Sequence, residues 1–348
     1  MEIRELLMDA INEKASDLHL TIGTPPIIRV DGTLLPLDYP PLSSHDSLYL
    51  IYSILNEEQK RKFEEKWELD FSTEIKSIGR FRVNVHKQRG VVEAAFRVVN
   101  EHVRTISELG LPQVVKDLSK KDAGLVLITG PTGSGKTSTM AAMIDQMNEE
   151  RNSVVITIED PIEYIHRNKR SIIKQREVNT DTKSFGDALR HVLRQDPDVI
   201  CIGEMRDLET ISTALTAAET GHLVLATIHT PDTLQTIDRI VDVFPPHQQP
   251  QVRYQLANTL EGIISQQLLP RSGQAGRVVA CEVLVCNIAA RKIIRSNKNE
   301  QLYTILQTSQ DLSMTTMDKS LKNLYQQGLI SHDIAMAKCK YPQAFNEI

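Results

Sequence analysis

No stretch of this 348-residue chain stays apolar for long. Its strongest runs, Leu125 to Thr129 and Leu223 to Ile228, fall far short of the ~20 residues that a membrane helix needs, so nothing is expected to span a bilayer. Cysteine is scarce. Cys201, Cys281, Cys286 and Cys339 form no CxxC pair and lie in apolar or helical surroundings, which points away from disulfides and from cysteine-held zinc. The opening Met1-Glu2-Ile3-Arg4-Glu5 carries acids and is not followed by the apolar core and small-residue cleavage site of a secretory signal, so a cytoplasmic protein is expected. An excess of positive charge is also missing. With 40 Lys and Arg against 45 Asp and Glu, the net charge is -5, which argues against dedicated nucleic-acid binding but leaves room for a local basic face.

What is present is the balance of a folded globular chain, 41% hydrophobic and 24% charged, at a length that predicts two domains. Residues 3 to 15 place Ile3, Leu6, Leu7, Ala10 and Ile11 at helical spacing, and Leu18, Leu20 and Ile22 then alternate as in a strand. Asp31-Gly32 between short apolar runs predicts a tight hairpin. Beyond a helix expected to end near Trp67, Phe81, Val83 and Val85 alternate with Arg80, Arg82, Asn84 and His86, and a second strand runs from Val91 to Val99. Residues 1–100 thus read as a small α+β domain whose sheet presents basic side chains on one surface, with Arg82 and Arg97 facing one another along an exposed basic edge. Patterning weakens over 101–121, the expected linker. From 122 onward, short apolar strands (125–129, 153–159, 199–203, 223–229) alternate with helices near 136–149, 184–194 and 207–220, the pattern of a parallel sheet covered by helices. After Pro245-Pro246 the chain reads as mostly helical, with one strand at Val278 to Val285 and C-terminal helices over about 287–348.

Gly130-Pro131-Thr132-Gly133-Ser134-Gly135-Lys136-Thr137 fits GxxxxGK(S/T) and stands between an apolar strand and a helix, the context the motif requires. Its glycines let successive backbone N–H groups converge on phosphates, with the helix dipole behind them. Lys136 is expected on the β and γ phosphates of ATP, and Thr137 on Mg²⁺. Such a site also needs acids. Val199 to Ile202 runs through Gly203 into Glu204, a strand ending in an acid as a Walker B strand does, although glycine takes the usual aspartate position. Glu204 is therefore expected to act on Mg²⁺ through water. A second strand runs into Glu159-Asp160-Pro161-Ile162-Glu163, where the proline forces a turn at the carboxyl end of the sheet and sets Glu163 toward the γ phosphate. His222 and His229 flank the next strand and, read alone, are structural residues.

Together, the phosphate loop, the 158–164 acidic box, Gly203-Glu204 and the boxes Thr220-Gly221-His222 and Ile228-His229-Thr230 resemble the secretion-superfamily ATPases. Ala15 to Leu20, Gly79 to Val85, Ser265 to Arg271 and Thr316 to Leu321 resemble the type IV pilus retraction branch. This resemblance, which covers nearly the whole chain, implies a PAS-like N-terminal domain, a RecA-like ATPase domain and a homohexamer with ATP between subunits. It implies Glu163 as catalytic acid, Glu204 as Walker B acid, and His222 and His229 as nucleotide-sensing residues, His229 near the catalytic step. Arg82 and Arg97 are implied to meet the γ phosphate of a neighbouring subunit. An inner-membrane platform protein and a paralogous retraction ATPase are the implied partners, the former holding the motor at the inner face of the cytoplasmic membrane. Extension and secretion members usually carry a four-cysteine zinc insert and a further N-terminal domain, and this sequence has neither. A helical motif associated with retraction is altered here, as 289–298, with Arg291, Arg295 and Lys298 kept. Accessory paralogues, extension or DNA-transfer ATPases, and a non-hydrolysing adaptor are the competing functions; the joint presence of Lys136, Thr137, Glu163 and Glu204 disfavours the last.

Overall fold

A computed structural model of the chain describes residues 1–30, 32–99, 102–309 and 313–342. The chain divides into two compact units, Met1–His102 with Glu163–Ile165, and Val103–Ile162 with His166–Ile348. The first unit opens with α1 (Ile3–Asn12), then β1 (Asp17–Leu20), β2 (Ile27–Val30), β3 (Thr33–Pro36), α2 (Ser44–Tyr52), α3 (Glu57–Lys66), β4 (Glu68–Ile75), β5 (Gly79–Gln88) and β6 (Val91–Val99). Its six strands form one antiparallel sheet in the order β3-β2-β1-β6-β5-β4. Asp31 of the expected hairpin turn lies outside the described residues, but β2 and β3 on either side pair with Val30 opposite Thr33, and Gly32 has φ +85°. Helices α2 and α3 each begin in a capping box, Ser43 with Asp46 and Asn56 with Gln59. The period-2 pattern holds where it was read: Phe81, Val83, Val85 and Phe96 are buried with Leu6, Leu7, Leu18, Leu20 and Phe63. Each such side chain contributes about 1.5–3 kcal/mol of burial.

The second unit contains α4 (Gln113–Ser119), β7 (Gly124–Thr129), α5 (Lys136–Glu150), β8 (Val154–Glu159), β9 (Ile172–Glu177), α6 (Phe185–Val192), β10 (Val199–Ile202), α7 (Leu208–Glu219) and β11 (Leu223–Ile228). It continues through α8 (Thr233–Asp242), α9 (Gln249–Thr259), β12 (Leu260–Pro270), β13 (Arg277–Val285), α10 (Ile288–Arg295), α11 (Leu302–Thr308), α12 (Met317–Gln326) and α13 (His332–Lys338). The sheet order is β13-β12-β7-β11-β10-β8-β9, parallel except for β13. Apolar side chains fill both faces of this sheet under the helices. Among the described residues no helix is long and apolar enough to cross a membrane.

Three expectations need correction. The stretch expected as a linker carries α4, and Val114, Val115 and Leu118 are buried with Ile106, Leu111 and Val126 in the second unit's core. The chain after Pro245-Pro246 is not mostly helical up to Val278, because β12 lies beside β7 and buries side chains on both faces, so it shows no alternation to read. The third concerns the edge assigned to Arg82 and Arg97: β5 and β6 lie inside the sheet, and the arginines sit on its polar face as direct cross-strand neighbours. Arg291 of the altered motif also has a structural task. Its Nη1 donates to the carbonyls of Ala257 (2.8 Å) and Asn258 (2.7 Å) at the end of α9, and its Nη2 to Glu261 Oε1 (2.6 Å).

Candidate nucleotide-binding site

The apolar run Gly124–Thr129 forms the interior strand β7 of the second unit, and the chain leaves its carboxyl end through the glycine loop into α5. Gly130, Gly133 and Gly135 have φ of +141°, +76° and +91°, a region that side chains disfavour. At Gly130 a Cβ would stand 2.4 Å from the Gln266 carbonyl oxygen and 2.6 Å from Ser134 Oγ. The loop is therefore a backbone cradle, closed against any substituent at Gly130 and held at Gly133 and Gly135 by backbone angles that favour glycine. Lys136 folds back beneath it, donating from Nζ to the carbonyls of Gly130 (2.9 Å) and Pro131 (3.0 Å). Thr137 follows in the first turn of α5, and Pro131 and Thr132 form the exposed crest. Ser134 Oγ and Thr129 Oγ1 are buried beside the loop with no hydrogen-bond partner among the described residues. Phosphate oxygens suit such a set of donors.

On the neighbouring strands, β10 ends at Ile202 and the backbone N–H of Gly203 donates to the Ile158 carbonyl of β8 (2.8 Å). A Cβ at Gly203 would press on that oxygen at 3.1 Å and on Glu159 Cα at 3.3 Å, which gives a physical reason for glycine where an aspartate was looked for. Glu204 then accepts from Arg206 twice, from Nε at 2.6 Å and from Nη2 at 2.7 Å. His229, one residue past β11, joins both parts: its Nδ1 is 3.4 Å from Lys136 Nζ and its Nε2 3.4 Å from Glu204 Oε1. Burial alone would raise the Glu204 carboxyl, but the Arg206 hydrogen bonds and the charges of His229, Arg206 and Lys136 hold it below the usual carboxylate range.

The structure thus brings Lys136, Glu204 and His229 together and leaves His222 apart. His222 stands at the amino end of β11, six residues of strand or roughly 20 Å from His229, with its Nδ1 3.0 Å from the Ala217 carbonyl. The nucleotide-binding role expected for it is not supported by its own chain's loop, because in a parallel sheet the two strand ends face opposite sides. In the first unit, Arg97 Nε donates to Asp17 (3.0 Å), while Arg82 Nη1 lies 3.9 Å from Glu163 Oε1; Arg97 is largely exposed and Arg82 half-buried. Arg206 and Gln266 escaped sequence reasoning. Arg206 had a signal, its place two residues after Glu204; Gln266, whose Nε2 donates to the Ser134 carbonyl (3.3 Å), had only its place in a motif read for family. In the acidic box, Glu159 is tied down by Thr157 Oγ1 (2.6 Å) and Gln175 Nε2 (3.1 Å), and buried Glu177 accepts from the Ile162 N–H (3.1 Å), which fixes the turn ahead of Glu163.

A family model described as type II/IV secretion system protein matches residues 1–336. The type IV pilus retraction ATPase PilT of Pseudomonas aeruginosa is 48% identical over 345 residues, 99% of this chain and 100% of that one. A twitching motility protein of Neisseria gonorrhoeae is 44% identical over 321 residues, 92% and 86% of the two chains. A crystal structure of the pilus retraction motor PilT with bound ADP superposes with a TM-score of 0.92 at 50% identity, covering 99% of this chain and 98% of that one.

Proposed function

Because this chain belongs to the type II/IV secretion system protein family, we infer that it hydrolyses ATP to do mechanical work, as the retraction motor of a type IV pilus. The observation that carries the reading is the meeting of Lys136, His229 and Glu204 beside the glycine cradle, at the carboxyl ends of β7, β10 and β11. There the backbone N–H groups of 130–137 receive phosphate oxygens, and Lys136 supplies the cation that the β and γ groups need. Thr137 and Glu204 are the residues to hold Mg²⁺, which when bound neutralises charge on the phosphate oxygens. The donor set fits it, a hydroxyl in the first turn of α5 and a carboxylate kept ionised by its neighbours. Glu163 orients the attacking water, and His229, between the lysine and the acid, responds to what the loop holds.

On this reading the working unit is a homohexamer in which Arg82 and Arg97 of one copy meet the nucleotide of the next. The motor sits at the cytoplasmic face of the membrane through a platform protein, beside a paralogous motor. Steady ATP turnover by the purified chain tests the hydrolytic step, and absence of turnover in an assembled ring would overturn it in favour of a nucleotide-binding adaptor. Deletion in the host followed by imaging tests the direction of work: surface pili should become longer and more numerous, and bald cells would point to extension instead.

A further inference from the structure

Glu282 of β13 is a carboxylate with only 4% exposure, and it lies outside the site described above. Its Oε1 accepts from the backbone N–H (3.0 Å) and the hydroxyl (2.7 Å) of Thr233, and its Oε2 from the backbone N–H of Met317 at 3.4 Å. Thr233 is the first residue of α8 and Met317 the first of α12. One buried carboxylate therefore closes the amino ends of two helices, where unpaired N–H groups and the positive dipole ends favour a negative charge. Each helix also carries a side-chain cap of its own, for a different N–H. Asp232 already accepts from the Gln235 N–H at the start of α8 (2.8 Å), and Thr316 from the Lys319 N–H at the start of α12 (3.2 Å). Burying a carboxylate is costly, so a function beyond capping is called for.

What lies ahead of each helix supplies it. The segment before α8 is the loop His229–Asp232 that leaves the nucleotide site, and it is pinned by Ser265 Oγ donating to the Pro231 carbonyl (2.9 Å). α12 belongs to the C-terminal helices and is held to β13 by the Val283–Thr315 bridge and by Ser320 Oγ accepting from the Cys281 N–H (3.0 Å). A second tie closes the circuit: Asp318 of α12 accepts from the Lys340 N–H (2.7 Å), and Lys340 Nζ reaches back to Asp232 at 3.5 Å. We propose that Glu282 is a positioning residue that couples the His229 loop to the C-terminal helices, so that the seating of α12 sets where His229 stands between Lys136 and Glu204. The consequence for catalysis rests on the ATPase reading; the coupling itself does not.

Amide hydrogen exchange on the full chain tests it from both ends. Thr233→Val removes one donor to Glu282 from the α8 side. Met317→Pro deletes the N–H on the α12 side at a first-turn position where proline keeps the helix. Coupling being reciprocal, Thr233→Val should speed exchange in the first turn of α12, and Met317→Pro should speed it over 229–236, each on the order of tenfold. Turnover should fall several-fold with the KM for ATP unchanged. Should Met317→Pro not fold, Glu282→Gln preserves side-chain volume, swaps an acceptor oxygen for an NH2 donor, and is expected to loosen both segments. Exchange that changes only in the helix carrying the substitution would reduce Glu282 to a local cap and overturn the proposal. Reciprocal exchange in a chain that never turns over ATP would support the coupling while overturning the hydrolytic reading.

Discussion

At the scale of single residues, the site is a contest over where one cation and one anion are held. Lys136 is buried, its ammonium held by two loop carbonyls and approached by His229, at the place where phosphate oxygens would meet it. Lys136→Ala is expected to abolish ATP binding or turnover while the thermal unfolding midpoint stays within a few degrees of wild type; turnover at the wild-type rate would show the cradle is misassigned. Glu204→Gln keeps the volume and one acceptor for Arg206 but removes the charge. Its loss of activity should shrink as Mg²⁺ is raised in a titration, and a defect of constant size at all Mg²⁺ concentrations would move Glu204 into direct positioning of water. The Arg206–Glu204 pair needs two partners of opposite charge within one turn of chain, and the sequence offered it two residues apart. It was missed because an arginine after an acid is ordinarily a solvated charge, and Arg206 is indeed mostly exposed.

At the scale of elements, the legible parts were those whose side chains repeat. β5 and β6 showed period 2 because one face is buried, and β7, β8, β10 and β11 showed as short apolar runs because both faces are. The same burial hid β12, where Gln266 and Gln267 interrupt an apolar run that adjoins the helical pattern of α9. β4 and β9 were missed as edge strands whose charged residues dilute the alternation. The glycine loop was legible because its spacing is local, whereas the meeting of His229 with Lys136 depends on which strands adjoin, and spacing carries no such information. Between β8 and β9 lies a group with a measurable pH signature. Burial pushes the His166 imidazole down to about 4, with Asp145 opposing and Lys169 assisting. The folded state therefore favours the neutral ring: its contribution is fully present above the unfolded pKa near 6.5 and is lost as pH falls from there toward 4. Over that window the loss is on the order of 3 kcal/mol. Urea unfolding of His166→Gln should accordingly show a shallower fall in stability between pH 6.5 and 4 than wild type, and parallel curves would remove burial of a neutral histidine as the cause.

At the scale of the whole molecule, the question is whether chemistry is completed within one chain or between copies. Arg82 lies 3.9 Å from Glu163 of its own chain, and Arg97 is engaged by Asp17, so each arginine already has a partner to leave before it can serve a neighbour. Rings mixed from Arg82→Ala and Glu163→Gln subunits decide between the arrangements. If the arginine acts on the neighbouring copy, mixed interfaces regain turnover that neither parent shows, against a loss of ~10³ to 10⁵ for removal of such an arginine. Mixed rings that stay inactive, with each parent inactive alone, would show that the arginine acts within its own subunit or only holds the fold. The order of strands also bears on how the motor comes into being. β7 carries the phosphate loop, yet its neighbours are β11, pairing from Leu223, and β12, pairing from Leu260. A chain still on the ribosome can coil α5 early, but the wall of the cradle at Gly130 is the carbonyl of Gln266, which is synthesised far later. Such long-range pairing is slow, and until it happens β7 is a bare strand edge open to wrong partners. The phosphate cradle thus waits on a residue far down the chain, and before Gln266 has emerged a half-made motor has no finished place to keep ATP.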